Sequence, residues 1–219
     1  MPVFLTDHTP AFPDPSLADA SGLLAFGGRL TEDWLLTAYR SGIFPWFTER
    51  GIPFWYSPDP RYVLFPEELK VSKSMKVLLK RNAFRFSVNE DFPQVIRKCA
   101  KIRRPAQPGT WISADMMRAY TDLHKKGHAV SAESWEGDRL VGGLYGLWLP
   151  PFFFGESMFA EVSNASKYAF ILFTKHLAAQ GTELIDCQVE TEHLVSLGAR
   201  PMPRSEYLGK LSAAFGDPF

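Results

Sequence analysis

The amino-acid sequence predicts an α+β fold: a mixed sheet with flanking helices over residues 67–219, preceded by a small N-terminal α/β subdomain over residues 1–66. Three observations carry this. The 219 residues, 46% hydrophobic and 22% charged, can bury a core of one large domain without a metal or a disulfide. Composition changes near residue 66, where a Pro-, Gly- and aromatic-rich stretch holding nine of the seventeen prolines gives way to regular periodicity. Beyond it the pattern runs helices, a strand hairpin, a third strand, a long helix and a short strand, the order of a mixed sheet.

Within the N-terminal subdomain a single short helix is expected, with Thr31 as its cap, DWLLTAYR as its body and Gly42 as its stop. Around it lie FPDP, LLAFGG, GIFPWF and FWYSPDPR. Pro-flanked aromatics of this kind predict rigid loops that present rings.

The larger domain opens with VSKSMKVLLKRN, a helix over 72–82 between Ser72 and Asn82. Helices follow over 90–100 and over 113–126, the latter capped by Ser113 and stopped by Gly127. HAVSAESW and RLVGGLYGLWL form a hairpin through Glu136-Gly137-Asp138, and FFFGESMF follows Pro150-Pro151 as a third strand. An amphipathic helix runs from Asn164 as cap to Gln180 and closes at Gly181. LIDCQV is a strand, and helical turns over 191–197 and 205–215 complete the chain. This order is compatible with an acyltransferase-like sheet of the N-acetyltransferase type.

No apolar run approaches the ~18 residues of a membrane span, and the N-terminus lacks a basic region followed by an apolar one, so a cytoplasmic location is expected. Cys99 and Cys187 lack metal or disulfide-framework spacing. His124 and His128 resemble a metal pair, but Gly127 breaks the helix between them and no acidic third ligand is placed, so no metal is expected. GGLYG lacks dinucleotide-loop spacing and reads as bulge or close-packing glycines in a strand. Ser157 is not in a Gly-x-Ser-x-Gly elbow.

Overall charge is zero, yet residues 70–104 hold eleven Lys/Arg against Glu90 and Asp91, a local excess of nine positive charges. Such a block on an otherwise acidic body fits one localised polyanion site or a plainly solvated face. On the 72–82 helix, Met75, Leu78 and Leu79 form an apolar stripe. Lys73, Lys76, Lys80 and Arg81 form a cationic ridge of the kind that lies along phosphates, giving affinity and register without reading sequence.

The candidate reacting groups are polar residues inside apolar strands. Asp186 and Gln188, two apart in LIDCQV, should share one face with Cys187 on the other. They read either as an acid/amide pair orienting a nucleophile or as a structural tie. Glu156, flanked by Phe153 and Met158, could bind a substrate ammonium group or pair with a nearby cation. The cluster Phe152, Phe153, Phe154 and Phe159 reads as core or, with a carboxylate in its midst, as a pocket for an apolar amino acid.

GLLAFGG, LLTAYRSGIFPWF, SPDPR, GTWI, LVGGLYG, GESMF, NASK, LIDCQ and HLVSLGA occur in this order between about residues 12 and 211. The ordered set resembles the bacterial leucyl/phenylalanyl-tRNA–protein transferase family. The resemblance implies an acyltransferase-like C-terminal domain and a small N-terminal domain. It implies transfer of Leu or Phe from aminoacyl-tRNA to an N-terminal Lys or Arg, marking the acceptor protein for degradation. The donor is an activated ester, so no cofactor is expected.

By the same resemblance, Asp186 and Gln188 form the reaction centre and Glu156 holds the aminoacyl end. Phe153, Met158, Phe173 and Leu144 form the side-chain pocket, Trp46 and Trp111 enclose the terminal adenosine, and Lys73, Lys76, Lys80 and Arg81 bind the RNA. Arg29, Tyr56, Val77 and Val130 depart from the family's usual residues, and KIRRPAQ is longer and more basic than usual. A small-molecule N-acyltransferase of the same fold and a non-enzymatic RNA-binding module are the competing readings.

Overall fold

The computed structural model describes residues 2–6, 8–102 and 111–216. Of KIRRPAQ, Lys101 and Ile102 fall among them, as do Trp111 and Ile112 of GTWI; the rest of both motifs lies outside the described residues.

The N-terminal stretch departs from the loop expectation. Strands β1 (Val3–Leu5), β2 (Leu23–Gly27), β3 (Phe44–Glu49) and β4 (Ile52–Tyr56) form a sheet in the order β1-β2-β4-β3, with α1 (Glu32–Arg40) before β3. Aromatic residues favour a pleated, half-buried surface, and here that preference prevails over the prolines. Pro45 lies on edge strand β3, and Pro53 lies beyond the β2 ladder, which ends at Phe54. Thr31 precedes α1 without a side-chain capping bond.

The second sheet has seven strands in the order β11-β5-β10-β9-β8-β7-β6. They are β5 (Arg61–Leu64), β6 (Arg85–Val88), β7 (Ala129–Glu136), β8 (Arg139–Leu149), β9 (Phe152–Ala160), β10 (Leu184–Gln188) and β11 (Arg200–Met202). The β9–β10 pair is parallel and the others are antiparallel, so the sheet is mixed as expected. β5 precedes residue 66, so the chain passes from one sheet to the other between Tyr56 and Arg61.

The helices are α2 (Lys73–Lys80), α3 (Phe92–Lys101), α4 (Ala114–Lys125), α5 (Ala165–Ala179), α6 (Glu192–Val195) and α7 (Arg204–Phe215). Ser72, Asp91 and Ser113 cap α2, α3 and α4, each accepting the amide N–H three residues on. Asn164, expected as a cap, makes no capping bond and instead turns the chain at φ 67°. α5 is buried round most of its circumference rather than amphipathic, because the sheet covers one side and α2 covers some of the other.

Two apolar cores result. On one face of the large sheet, α3, α4, α7 and the N-terminal unit share a core that includes Trp34, Tyr39, Trp55, Phe92, Tyr120 and Phe154. On the other face, α2 and α5 enclose Met75, Leu144, Phe153, Tyr168 and Phe173. Gly142 lets α5 approach: a Cβ there would meet the Ala165 Cβ at 2.5 Å.

Five strand pairs change register among the described residues. Three of these shifts place one extra residue at Trp46 in β3, Glu156 in β9 and Cys187 in β10. Parallel pairing of β9 and β10 ends at Phe154–Asp186, beyond which the strands are no longer paired.

Candidate active site

A cavity of about 460 Å³ occupies the opening where β9 and β10 diverge. The three bulges converge on it. A bulge adds an unpaired residue and re-aims nearby side chains, and Trp46, Glu156, Cys187 and Gln188 all line the space.

Glu156 is 8% exposed and has three side chains within hydrogen-bond distance. Tyr39 of α1 donates to Oε1 at 2.5 Å, Tyr120 of α4 lies 2.9 Å from Oε2, and Gln188 Nε2 donates to Oε1 at 2.8 Å. The Tyr39 and Tyr120 hydroxyls are also 2.5 Å apart. Three oxygen–oxygen approaches therefore form a ring, while two phenols supply two protons. A third proton on the carboxyl closes the ring with one donor per approach. Burial pushes the Glu156 acid up to about 7 against the opposing effect of these hydrogen bonds.

Asp186 is fully buried and differently occupied. Arg61 of β5 grips it with Nε at 2.8 Å from Oδ1 and Nη2 at 2.6 Å from Oδ2. Tyr207 of α7 donates to Oδ2 at 2.7 Å, and the Gln188 backbone N–H donates to Oδ1 at 2.8 Å. Arg61 also donates to the Gly42 carbonyl at 3.2 Å. Burial opposes the guanidinium charge, and Asp186 outweighs it, holding Arg61 above its ordinary range.

Asp186 and Gln188 do line one cavity, but not as the side-chain pair that strict alternation predicts. The extra residue at Cys187 interrupts the alternation, and Gln188 takes φ 64°. Its amide turns to Glu156 while its backbone binds Asp186.

Leu144, Met158, Trp46 and Trp111 line the cavity. Trp46 packs edge-on against Tyr56, ring centres 4.9 Å apart. Phe153 and Phe173, expected as pocket walls, instead pack against each other at 5.1 Å in the core behind it, and Phe170 and Ile185 take the lining positions. Phe170 lies one helical turn before Phe173 on α5, which explains the exchange. Lys73, Lys76, Lys80 and Arg81 are all exposed, as is Val77 between them. Val130 is core.

Sequence reasoning overlooked Tyr39, Arg61, Tyr120 and Tyr207. Their partners lie 21 to 125 positions away, although Tyr39 and Arg61 stand inside motifs already singled out. It also overlooked Glu133, a buried carboxylate bonded to Ser131 and Ser87 away from the cavity. His124 stacks on Phe92 at 4.2 Å and its Nδ1 lies 2.8 Å from the Ala129 carbonyl, so its role is in packing. Among the described residues no group of three or more His, Cys, Asp or Glu could hold a metal ion, and no helix is long and apolar enough to cross a membrane.

An apolar cavity with a buried carboxylate and convergent amide and aromatic groups has the character of a small-ligand site. Comparison with known proteins narrows the class. The model of the leucyl/phenylalanyl-tRNA protein transferase family matches residues 63–212, and that of its N-terminal domain matches residues 28–59. A leucyl/phenylalanyl-tRNA–protein transferase of Anaeromyxobacter sp. (strain K) is 53% identical over 218 residues, covering 100% of this chain and 94% of its own. The protein of that name from Myxococcus xanthus (strain DK1622) is 46% identical over 220 residues, covering 100% and 94%. The one from Pseudomonas syringae pv. syringae (strain B728a) is 48% identical over 205 residues, covering 94% and 89%. Among solved structures, L-PGS from Bacillus licheniformis aligns with a TM-score of 0.41 and 13% identity, covering 80% of this chain and 58% of its own. The chain belongs to the leucyl/phenylalanyl-tRNA–protein transferase family.

Proposed function

We propose that this protein transfers Leu or Phe from aminoacyl-tRNA to the N-terminal Lys or Arg of acceptor proteins in the cytoplasm, marking them for degradation. The observation that carries this reading is Glu156 set in an apolar cavity that Leu144 and Met158 line together with Trp46 and Trp111. In it, Glu156 holds the donor's α-ammonium group, Leu144 and Met158 enclose its side chain, and the two indoles enclose the terminal adenosine. Stacking a base on a ring contributes about 1–3 kcal/mol.

The donor ester is already activated, so the protein's task is to align an amine with the ester carbon and accommodate one proton. Alignment alone can supply up to about 7–11 kcal/mol of barrier reduction. Asp186, held by Arg61 and Tyr207, is a positioning group: its oxygens accept hydrogen bonds that fix the turn at Gln188. The Gln188 nitrogen is committed to Glu156, which leaves its carbonyl oxygen to accept an N–H from the acceptor amine. The amide is too weak a base to keep the proton. The donor's own ribose hydroxyl can relay it toward the leaving oxygen.

The test is transfer of labelled Phe from Phe-tRNA to peptides beginning with Lys, Arg, Asp or Glu, with acetyl-CoA as an alternative donor. The expected result is transfer to Lys and Arg peptides that is abolished in Gln188→Ala. No transfer from Phe-tRNA alongside saturable use of acetyl-CoA overturns the proposal.

A further inference from the structure

We propose that the cleft beside the aminoacyl cavity, floored by α3, receives the phosphodiester that joins the terminal adenosine of the donor to the nucleotide before it, with Arg97 and Lys101 as its cationic ligands. This rests on the reading of the donor as an aminoacyl-tRNA and adds a second binding site to it.

The cleft has a volume of about 490 Å³, and Arg97, Lys98, Lys101 and Glu161 line it. It shares Ile102, Phe159 and Ala160 with the aminoacyl cavity, so the two spaces adjoin. Trp111, on the cavity side, marks the place proposed for the adenine. A nucleoside stacked there must send its 5′ oxygen out of the cavity, because an apolar space holding the Glu156 carboxylate repels a phosphate. The adjoining cleft supplies the opposite charge.

The charges in that cleft are not equivalent. Lys98 forms an ion pair with Glu161, so the acid of the cleft is already neutralised. Arg97 and Lys101 are exposed and have no ion-pair partner among the described residues. They stand four apart on α3 and therefore on one face of it, while Val95, Ile96 and Cys99 pack into the core. Two adjacent cations against a single strand suit one phosphodiester. No residue of the α2 ridge lines this cleft. α2 packs on α5, and α3 packs on the opposite face of the large sheet, so the two cationic surfaces meet different regions of a bound RNA.

The experiment compares the parent with Arg97→Ser/Lys101→Ser using three Phe donors: 3′-O-phenylalanyl-adenosine, the same ester on the dinucleotide CpA, and Phe-tRNA. Both residues are exposed, and an unchanged denaturation midpoint verifies folding. KM for the dinucleotide and tRNA donors is expected to rise about tenfold. KM for the phosphate-free adenosine donor should stay within about twofold, with kcat unchanged for all three. The salt dependence of KM for Phe-tRNA should fall by about 0.7 in log–log slope for the one phosphate no longer neutralised.

Equal loss with the phosphate-free donor overturns the assignment, as does no loss with the dinucleotide. Titration of unreactive CpA, followed by tryptophan fluorescence, makes the same comparison without turnover. A variant that binds CpA as tightly as the parent overturns the assignment. A parent that binds CpA but transfers no Phe overturns the proposed function alone.

Discussion

Glu156 and Asp186 are both buried carboxylates with different partners. Asp186 faces a guanidinium that balances its charge; Glu156 faces two phenols and an amide and has no cation hydrogen-bonded to it among the described residues. Burial raises the Glu156 acid from 4.5 to about 7, so the folded protein binds the extra proton between those values. Stability should therefore decline as pH rises from about 4.5 to 7, by at most ~3 kcal/mol. Glu156→Gln should remove that decline, which denaturant midpoints across the range from mildly acidic to mildly basic pH would reveal. The same group makes donor binding pH-dependent. An ionised Glu156 attracts an α-ammonium and a protonated one does not, so KM for Phe-tRNA should rise as pH falls through about 7. For Asp186 the expectation is structural. Asp186→Asn leaves Arg61 buried without an anion and should destabilise the fold by about 3–5 kcal/mol. Tyr207→Phe removes one charge-assisted hydrogen bond and should cost about 1.5–3 kcal/mol. Urea denaturation of both variants checks the order.

At the level of strands and helices, register decides the chemistry. The main segments after residue 72 are legible from periodicity and caps, because Ser72, Ser113, Gly127 and Gly181 announce helix ends whatever the tertiary context. The bulges are not legible. A single extra residue at Glu156 or Cys187 leaves no compositional mark, yet it exchanges inward and outward faces for everything beyond it. That is why the expected Asp186–Gln188 pair turned out to be a backbone hydrogen bond; Phe153 precedes the β9 bulge, and Phe173 lies on α5 one helical turn beyond Phe170, which takes the place in the wall. The N-terminal strands escaped for a different reason: prolines at an edge or beyond a ladder cost little, and a sequence does not reveal which strands are edges. Gly146 lies on the partner strand of the Glu156 bulge and probes how tightly that bulge is held. A Cβ there would lie 2.1 Å from the Phe154 carbonyl oxygen and 2.6 Å from the Phe153 ring. Gly146→Ala should destabilise the protein by about 1–3 kcal/mol and, by displacing the Glu156 bulge, lower transfer of Phe and Leu alike. Thermal denaturation and paired transfer assays would measure both.

Across the whole molecule, neutrality of the sequence conceals a separation of charge. The α2 ridge lies on the other side of the sheet from the α3 cleft. Replacing Lys73, Lys76, Lys80 and Arg81 with Ala should weaken Phe-tRNA binding similarly for tRNAs of different sequence. The log–log salt slope should fall by about 3, roughly 0.7–0.9 for each of four phosphates no longer neutralised. Phe-adenosine, too short to reach the ridge, should be used as before. Filter binding across a series of KCl concentrations separates these outcomes.

Arg61 also bears on how the molecule can be divided. It stands before residue 66, yet its guanidinium clasps an anion from near the end of the chain and a carbonyl from the N-terminal unit. A fragment cut after Pro66 would begin life with an orphaned negative charge in the middle of its sheet and no β5 to shield it. Such a piece should fail to fold alone and should recover only when the missing N-terminal peptide is supplied alongside it.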